Sequence, residues 1–175
     1  ENENIGLLYG VGEFEYDRGH LNDAEVINKS DEFVKSGDIM LSSKHLSTVF
    51  LFRPNENKIV WLKTGPWLNQ HDIDYLGEGM FSIFGNDTFR YNEVESHDVF
   101  LDKHNKIYLY NLQNNKTHTI FDNVMSDIKT PTQGLHEILD NGDVFIEDTD
   151  NFRLLRLSNE KKRWEYFRWP YGLSR

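Results

Sequence analysis

The sequence has 175 residues, of which 38% are hydrophobic and 14% aromatic, so it is long and apolar enough to form one globular domain rather than a disordered chain. Its formal charge of −10 argues against nucleic acids and anionic membrane surfaces as partners, because both repel an acidic protein. The sequence contains no cysteine, which excludes disulfides, thiolate zinc sites and cysteine nucleophiles, and no apolar run approaches the roughly 20 residues of a membrane-spanning helix.

In chain order, the sequence contains three similar units of short β-rich segments. The first unit starts with HLNDAEVI (20–27) and continues with GDIMLSS, TVFLFRP and KIVWLKT to residue 64. The second starts with QHDIDYL (70–76) and continues with GMFSIFGND, KIYLYNL and KTHTIFD to residue 122. The third starts with LHEILDNGDVFIEDT (135–149) and continues with FRLLRLS and RWEYFRW to residue 169. Polar turns such as 54–57 and 140–142 separate these segments, which is typical of β-hairpins.

Each unit therefore predicts one four-stranded antiparallel blade, and no segment has a sustained helical period. We expect an all-β fold of about three to four such blades, in one domain over 1–175, belonging to a roughly six-bladed propeller. The approximate blades are 16–69, 70–132 and 133–173.

Three blades do not close a propeller ring. The chain also starts at Glu1 rather than at methionine. We therefore expect that further blades belong to the protein or that partner chains supply them. The segment LLYGVGEFEYD (7–17), which precedes the first unit, is expected to contribute a strand to a neighbouring blade.

A histidine stands near the start of the first strand in each unit, at His20, His71 and His136, about 50 and about 65 residues apart. Because the first strand of a blade lines the propeller channel, these imidazoles are expected to surround one opening. The alternative for each is a structural histidine that bonds a nearby carbonyl, and His136 is the weaker candidate for a functional role. His45, which follows Lys44, is expected on the outer blade surface, since neighbouring strand residues point to opposite faces.

Three motifs in this order resemble those of the bacterial arylsulfotransferase family. They are H-x-N at His20 to Asn22, S-S-K-x-x-S at 42–47, and Gln70-His71 followed by a turn rich in glycine, asparagine and aspartate at 85–87. The resemblance extends from about residue 16 to about residue 167.

The resemblance implies an aryl-sulfate sulfotransferase, which moves a sulfuryl group from a phenolic sulfate ester to a phenol without a nucleotide sulfate donor. By the same resemblance, His71 is the nucleophile that becomes sulfated, and His20, Asn22 and Lys44 hold the sulfate oxygens. These residue types suit the chemistry, because a neutral imidazole can attack and then leave, while amide and cationic donors stabilise the anion. No metal or other cofactor is implied, and the expected location is extracytoplasmic or periplasmic.

This chain departs from the family at two points. Lys44 stands where the family has arginine, which keeps the charge and loses the planar two-pronged grip on an oxyanion. A further family histidine has no counterpart in this chain. The alternative function is therefore a non-catalytic propeller module that binds a partner or forms part of a larger assembly. An enzyme should bring His20, Asn22, Lys44 and His71 together, whereas a scaffold should leave them dispersed or paired with its own carboxylates.

Overall fold

The computed structural model describes residue 17, residues 19–90 and residues 98–168. The predicted strand in segment 7–17 lies almost wholly outside the described residues. The strands of the first unit are β1 (Leu21–Val26), β2 (Ile39–Ser43), β3 (Thr48–Arg53) and β4 (Lys58–Thr64). Those of the second unit are β5 (Asp72–Gly77), β6 (Met80–Gly85), β7 (Thr88–Arg90), β8 (Asp98–Phe100), β9 (Lys106–Asn111) and β10 (Lys116–Ile120). Those of the third are β11 (Leu135–Ile138), β12 (Val144–Asp148), β13 (Arg153–Leu157) and β14 (Lys162–Phe167).

In the part of the chain that the structure describes, three short 3-10 helices lie between strands, at Pro54–Glu56, Asp122–Val124 and Thr149–Asn151. Within the described part of the chain, no helix has the length and hydrophobicity needed to cross a membrane. Apart from these short helices, the regular secondary structure of the described residues consists of β-strands, which confirms the predicted all-β class.

The strands form three antiparallel four-stranded sheets, with orders β1-β2-β3-β4, β5-β6-β9-β10 and β11-β12-β13-β14. We call these the first, second and third sheets. Strands β7 and β8 pair only with each other, so the chain leaves the second sheet after β6 and returns to it at β9. The excursion coincides with the polar stretch 88–103, which is why the second unit is longer than the first.

The second sheet is buried on both faces. Ile83 of β6 packs with residues of the first sheet such as Met40, whereas the next residue, Phe84, packs with residues of the third sheet such as Ile146. Successive strand residues point to opposite faces, so one strand supplies both hydrophobic cores. This two-sided burial explains why β6 (MFSIFG) is apolar at most positions instead of alternating with polar residues.

The first strand of each sheet is an edge strand, and β1, β5 and β11 lie side by side. We call this row the inner edge. Three backbone N–H groups of this edge donate to carboxylates of the neighbouring first strand instead of to a sheet carbonyl. Asp23 accepts from the N–H of Ile73 at 2.9 Å and Glu25 accepts from that of Tyr75 at 2.7 Å. In the same way, Asp72 accepts from the N–H of His136 at 2.6 Å.

The guanidinium of Arg153 stabilises the third sheet from within. It donates to Asp148 at 2.9 Å, to Asp127 at 3.0 Å and to Glu165 at 2.7 Å, and Asp148 is completely buried. Replacing Arg153 with methionine is expected to lower the free energy of unfolding by about 3–5 kcal/mol, because it leaves the buried Asp148 carboxylate without its cation.

Urea unfolding of the Arg153→Met variant measures this loss. Arg163→Met is the matched control, since Arg163 is exposed and its partner Asp143 keeps a second bond to Arg156 at 2.8 Å. We expect less than about 1 kcal/mol there. Equal losses in the two variants would contradict the assignment.

Candidate functional site

His20, Asn22, Lys44 and His71 lie near one another at one end of the inner edge. His20 and His71 each immediately precede a first strand, and Asn22 lies in β1. The backbone N–H of Lys44 donates to the carbonyl of His20 at 2.9 Å, and Asn22 Nδ2 donates to the carbonyl of Gln70 at 2.7 Å. These contacts connect all four residues across the first and second sheets, and we call the group the anion-site candidate.

Gln70 holds the motifs of the two sheets together. Its side chain is completely buried, and its Nε2 donates to Ser42 Oγ at 3.0 Å and to the carbonyls of Ser43 and Thr48, each at 3.1 Å. The glutamine before His71 is therefore fixed to the serines before Lys44. This explains physically why these motifs occur together in the sequence.

Asn86 determines which nitrogen of His71 carries the proton. His71 Nδ1 lies 2.7 Å from Asn86 Oδ1. The Asn86 amide nitrogen already donates to the carbonyls of Thr130 at 2.7 Å and Gln133 at 2.6 Å, so the orientation of the amide is fixed and Oδ1 can only accept. His71 Nδ1 must therefore be the donor. In the neutral ring, the lone pair is then on Nε2.

The surroundings of His71 keep its ring neutral. Burial lowers the pKa of His71 to about 4, and electrostatic interactions with Lys44 and His20 add to this effect, against the opposing hydrogen bonds with Asn86 and with the backbone of Asn69. His71 is therefore unprotonated at neutral pH. A neutral, oriented imidazole next to a lysine ammonium has the form required of a nucleophile that attacks an anionic ester.

His20 is held by two groups that come from outside the motif. Its Nδ1 lies 2.8 Å from Asp17 Oδ2, and its ring stacks on that of His45 with centroids 4.6 Å apart. His45 Nδ1 in turn lies 2.7 Å from the carbonyl of Asp17. The prediction that His45 lies on a strand and faces away from Lys44 was wrong in its premise. His45 lies in the turn 44–47 between β2 and β3, where the strand rule of alternating faces does not apply.

Asn22 and Lys44 supply polar groups next to His71. Asn22 uses one N–H on Gln70 and retains the other, while its Oδ1 is buried without a hydrogen-bond partner among the described residues. Burial is the main cause that lowers the pKa of both His71 and His45, and charge repulsion from nearby Lys44 adds to it. The candidate thus combines a cation, an amide donor and imidazoles.

His136 stands at a different position in its strand from His71, so its predicted equivalence with His71 was wrong. His71 precedes its strand, whereas His136 is the second residue of β11, and its backbone N–H donates the inter-sheet bond that the N–H of Ile73 donates in β5. His136 is therefore offset by two residues from the His71 position. Its buried ring contacts carboxylates, with Nδ1 at 2.6 Å from Asp72 Oδ2. The spacing of the repeats suggested a wrong equivalence for His136, because the connection before β11 differs in length from the connection before β5.

Two residues that contact the site were not singled out from the sequence. Asn86 lies in the turn 85–87, which belongs to the third motif. A turn asparagine usually bonds its own backbone, so no local pattern predicts its contact with His71. Asp17 precedes the first strand by only a few residues, and an acidic residue close before a histidine is the one signal that could have suggested their pairing.

Comparisons with known proteins give the following result. No curated protein matches the sequence significantly. Among solved structures, selenomethionine-substituted virginiamycin B lyase from Staphylococcus aureus is 11% identical, with a TM-score of 0.48, over 91% of this chain and 58% of that chain. Hsv2 from Kluyvelomyces marxianus is 12% identical, with a TM-score of 0.37, over 89% of this chain and 54% of that one.

This chain therefore spans less than two thirds of the length of either structure. The sequence model of the family described as Arylsulfotransferase (ASST) matches residues 2–167, which is nearly the whole chain. The chain belongs to the arylsulfotransferase family.

Proposed function

We propose that this protein transfers a sulfuryl group from an aryl sulfate to a phenol, with His71 as the group that is transiently sulfated. The observation that carries the proposal is the state of His71. Its Nδ1 proton is committed to Asn86 at 2.7 Å, and its pKa is lowered to about 4, so that Nε2 offers a lone pair at neutral pH.

In the first step, the Nε2 lone pair of His71 attacks the sulfur of the aryl sulfate. The N–S bond forms while the bond between the sulfur and the phenolic oxygen breaks. The phenolate leaves with the bonding electrons and takes a proton. In the second step, the oxygen of the acceptor phenol attacks the same sulfur. The N–S bond breaks, its electrons return to Nε2, and the acceptor proton passes to a base. Two easier displacements thus replace one difficult one.

The other members of the anion-site candidate would hold the transferring group. The ammonium of Lys44 and the remaining N–H of Asn22 suit the sulfuryl oxygens, on which negative charge lies in the transition state. The Nδ1 of His20 is engaged with Asp17, which leaves its Nε2 for the substrate or for the phenolic proton. The stacked His45 ring fixes the plane in which His20 lies.

Incubating the purified protein with an aryl sulfate and a phenol acceptor tests the proposal. We expect release of the donor phenol, sulfation of the acceptor and, when the acceptor is omitted, a gain of one SO₃ group on the peptide that contains His71, seen by mass spectrometry. Sulfate binding without release of the donor phenol would reject the transferase and leave the non-catalytic binding module.

Lys44 provides a separate test of the anion-holding role. Lys44→Met should lower kcat/KM by about 10²–10³-fold, because it removes a charge that stabilises the transferring group. Lys44→Arg should retain or exceed the native rate, since arginine adds a planar fork of donors to the same charge. Steady-state kinetics with an aryl sulfate measure both values.

Lys116→Met is the matched control, because Lys116 is exposed in β10 on another part of the molecule. Its kcat/KM should not change. If Lys44→Met behaved like this control, Lys44 would have no role in holding the sulfuryl group.

A further inference from the structure

A second group of polar residues lies along the inner edge. It contains the carboxylates Asp23 and Glu25 of β1 and Asp72 and Asp74 of β5, together with His136 of β11. Three of the carboxylates have a structural explanation. Asp23, Glu25 and Asp72 each accept a backbone N–H of the next first strand, at 2.6–2.9 Å.

Asp74 departs from this pattern. It stands two residues after Asp72, as Glu25 stands two residues after Asp23, so the pattern would place its carboxylate on a backbone N–H of β11. Instead its Oδ2 is buried and has no hydrogen-bond partner among the described residues. The same oxygen lies 3.7 Å from Nε2 of His136. This carboxylate is therefore directed at the imidazole and is too far from it for a hydrogen bond.

His136 has an unused nitrogen at the same point. Its side chain is completely buried, and its Nε2 also lacks a hydrogen-bond partner in the described part of the chain. Its Nδ1 is bonded to Asp72 Oδ2 at 2.6 Å. A carboxylate on one ring nitrogen, with the other nitrogen left open, is the usual arrangement of a metal-binding histidine.

The spacing also suits an ion. Two metal–ligand bonds of about 2.1 Å that meet at the tetrahedral angle of about 109° place their donor atoms roughly 3.4 Å apart. The Nε2 to Oδ2 distance of 3.7 Å is within about 0.3 Å of this value. One potential ligand atom from each of Asp72, Asp74 and His136 lies within 4.8 Å of the others.

We propose that His136 Nε2 and Asp74 bind a divalent cation between the second and third sheets, with Asp72 orienting the imidazole. One imidazole and carboxylate oxygens suit Zn²⁺ or a similar first-row ion, and water would complete its coordination. The neighbouring carboxylates Asp23 and Glu25 add negative charge that favours a cation. The side chain of Asp74 is about one third exposed, with an accessibility of 32%, while its Oδ2 is buried beside His136. Because the ion would join β5 to β11, its effect is on stability.

Zinc binding and thermal unfolding test this site. The protein is dialysed against a chelator and then titrated with ZnCl₂ by calorimetry, and retained zinc is measured after gel filtration. We expect one Zn²⁺ per chain and, at about 100 times the dissociation constant, a melting temperature raised by about 5–10 °C. Asp74→Asn and His136→Gln should each weaken binding by at least about 10-fold.

His118→Gln and Asp140→Asn are the matched controls, because both residues are exposed and lie outside the group. They should bind zinc as the native protein does. Zinc bound equally by the native protein and by Asp74→Asn and His136→Gln would overturn the proposal, as would the absence of stoichiometric zinc.

A measurement on the native protein avoids any folding defect of the variants. When Zn²⁺ is added, Nε2 of His136 should lose its proton, and the ¹⁵N NMR signal of this nitrogen should shift. A ring that stays protonated at both nitrogens in the presence of Zn²⁺ would show that His136 is only an imidazolium paired with Asp72 and Asp74, and the metal site would be rejected. The test is independent of sulfuryl transfer, since it measures neither turnover nor His71.

Discussion

The His71→Ala variant is expected to lose sulfuryl transfer, with kcat at least about 10³-fold below that of the native protein. Alanine has no lone pair to attack sulfur, so no covalent intermediate can form. Release of the donor phenol from an aryl sulfate measures the loss. The SO₃ adduct seen by mass spectrometry should disappear with it.

The fold should survive this substitution, since the ring of His71 is only partly buried and the contacts of Gln70 remain. His118→Ala is the matched control and should turn over normally, because His118 is exposed in β10. Turnover of His71→Ala within 10-fold of the native rate would show that His71 is not the nucleophile.

Replacing Asn86 with aspartate is expected to move the acid limb of the rate profile to higher pH. In the native protein, kcat/KM should fall only as pH drops through about 4, since the pKa of His71 is lowered to that value. A carboxylate on Nδ1 favours the imidazolium, so the limb should rise by about 1–3 pH units. The variant should also unfold more easily, because the carbonyl of Gln133 loses its donor, at about 1–3 kcal/mol for an unsatisfied group, whereas the carbonyl of Thr130 keeps its bond from Asn105 at 2.8 Å.

The pH profile of kcat/KM between pH 3 and pH 9 measures the shift. Asn123→Asp is the matched control, because Asn123 is exposed and the variant adds the same charge away from His71. An acid limb that stays in place in Asn86→Asp would mean that Asn86 does not control the proton on His71.

The same lowered pKa has a consequence for stability. The folded protein holds His71 neutral down to about pH 4, whereas the unfolded chain takes up the proton near the ordinary value of 6.5. The unfolded state therefore binds more protons between these values, and His71 makes the folded protein less stable as pH falls from 6.5 to 4. Below that window the contribution is constant. Comparing the pH dependence of unfolding in the native protein and in His71→Ala isolates this contribution.

Much of the site could be predicted from the sequence because its motifs are short and lie at the ends of strands. Residues 20–22, 42–47 and 70–71 each belong to one strand end, and strand ends are marked by local patterns. Their mutual proximity followed from the family resemblance, and Gln70 supplies its physical cause by bonding to Ser42, Ser43 and Thr48. Local patterns did not predict the placement of His45, because it lies in a turn and not on a strand. They also did not predict the register of His136, because the connections before the first strands differ in length.

The sequence alone determined the strands of the three four-stranded sheets, their turns and the all-β class, because alternation and turn residues act over a few neighbouring positions. It did not predict β7 and β8, which lie within the insertion 88–103. Only the tertiary structure decided which nitrogen of His71 is free, since that depends on Asn86 and on the carbonyls of Thr130 and Gln133 in a distant loop. It also decided that Asp74 meets His136 instead of a backbone N–H. Contacts between sheets depend on how their faces pack, and the period of a single strand does not contain that information.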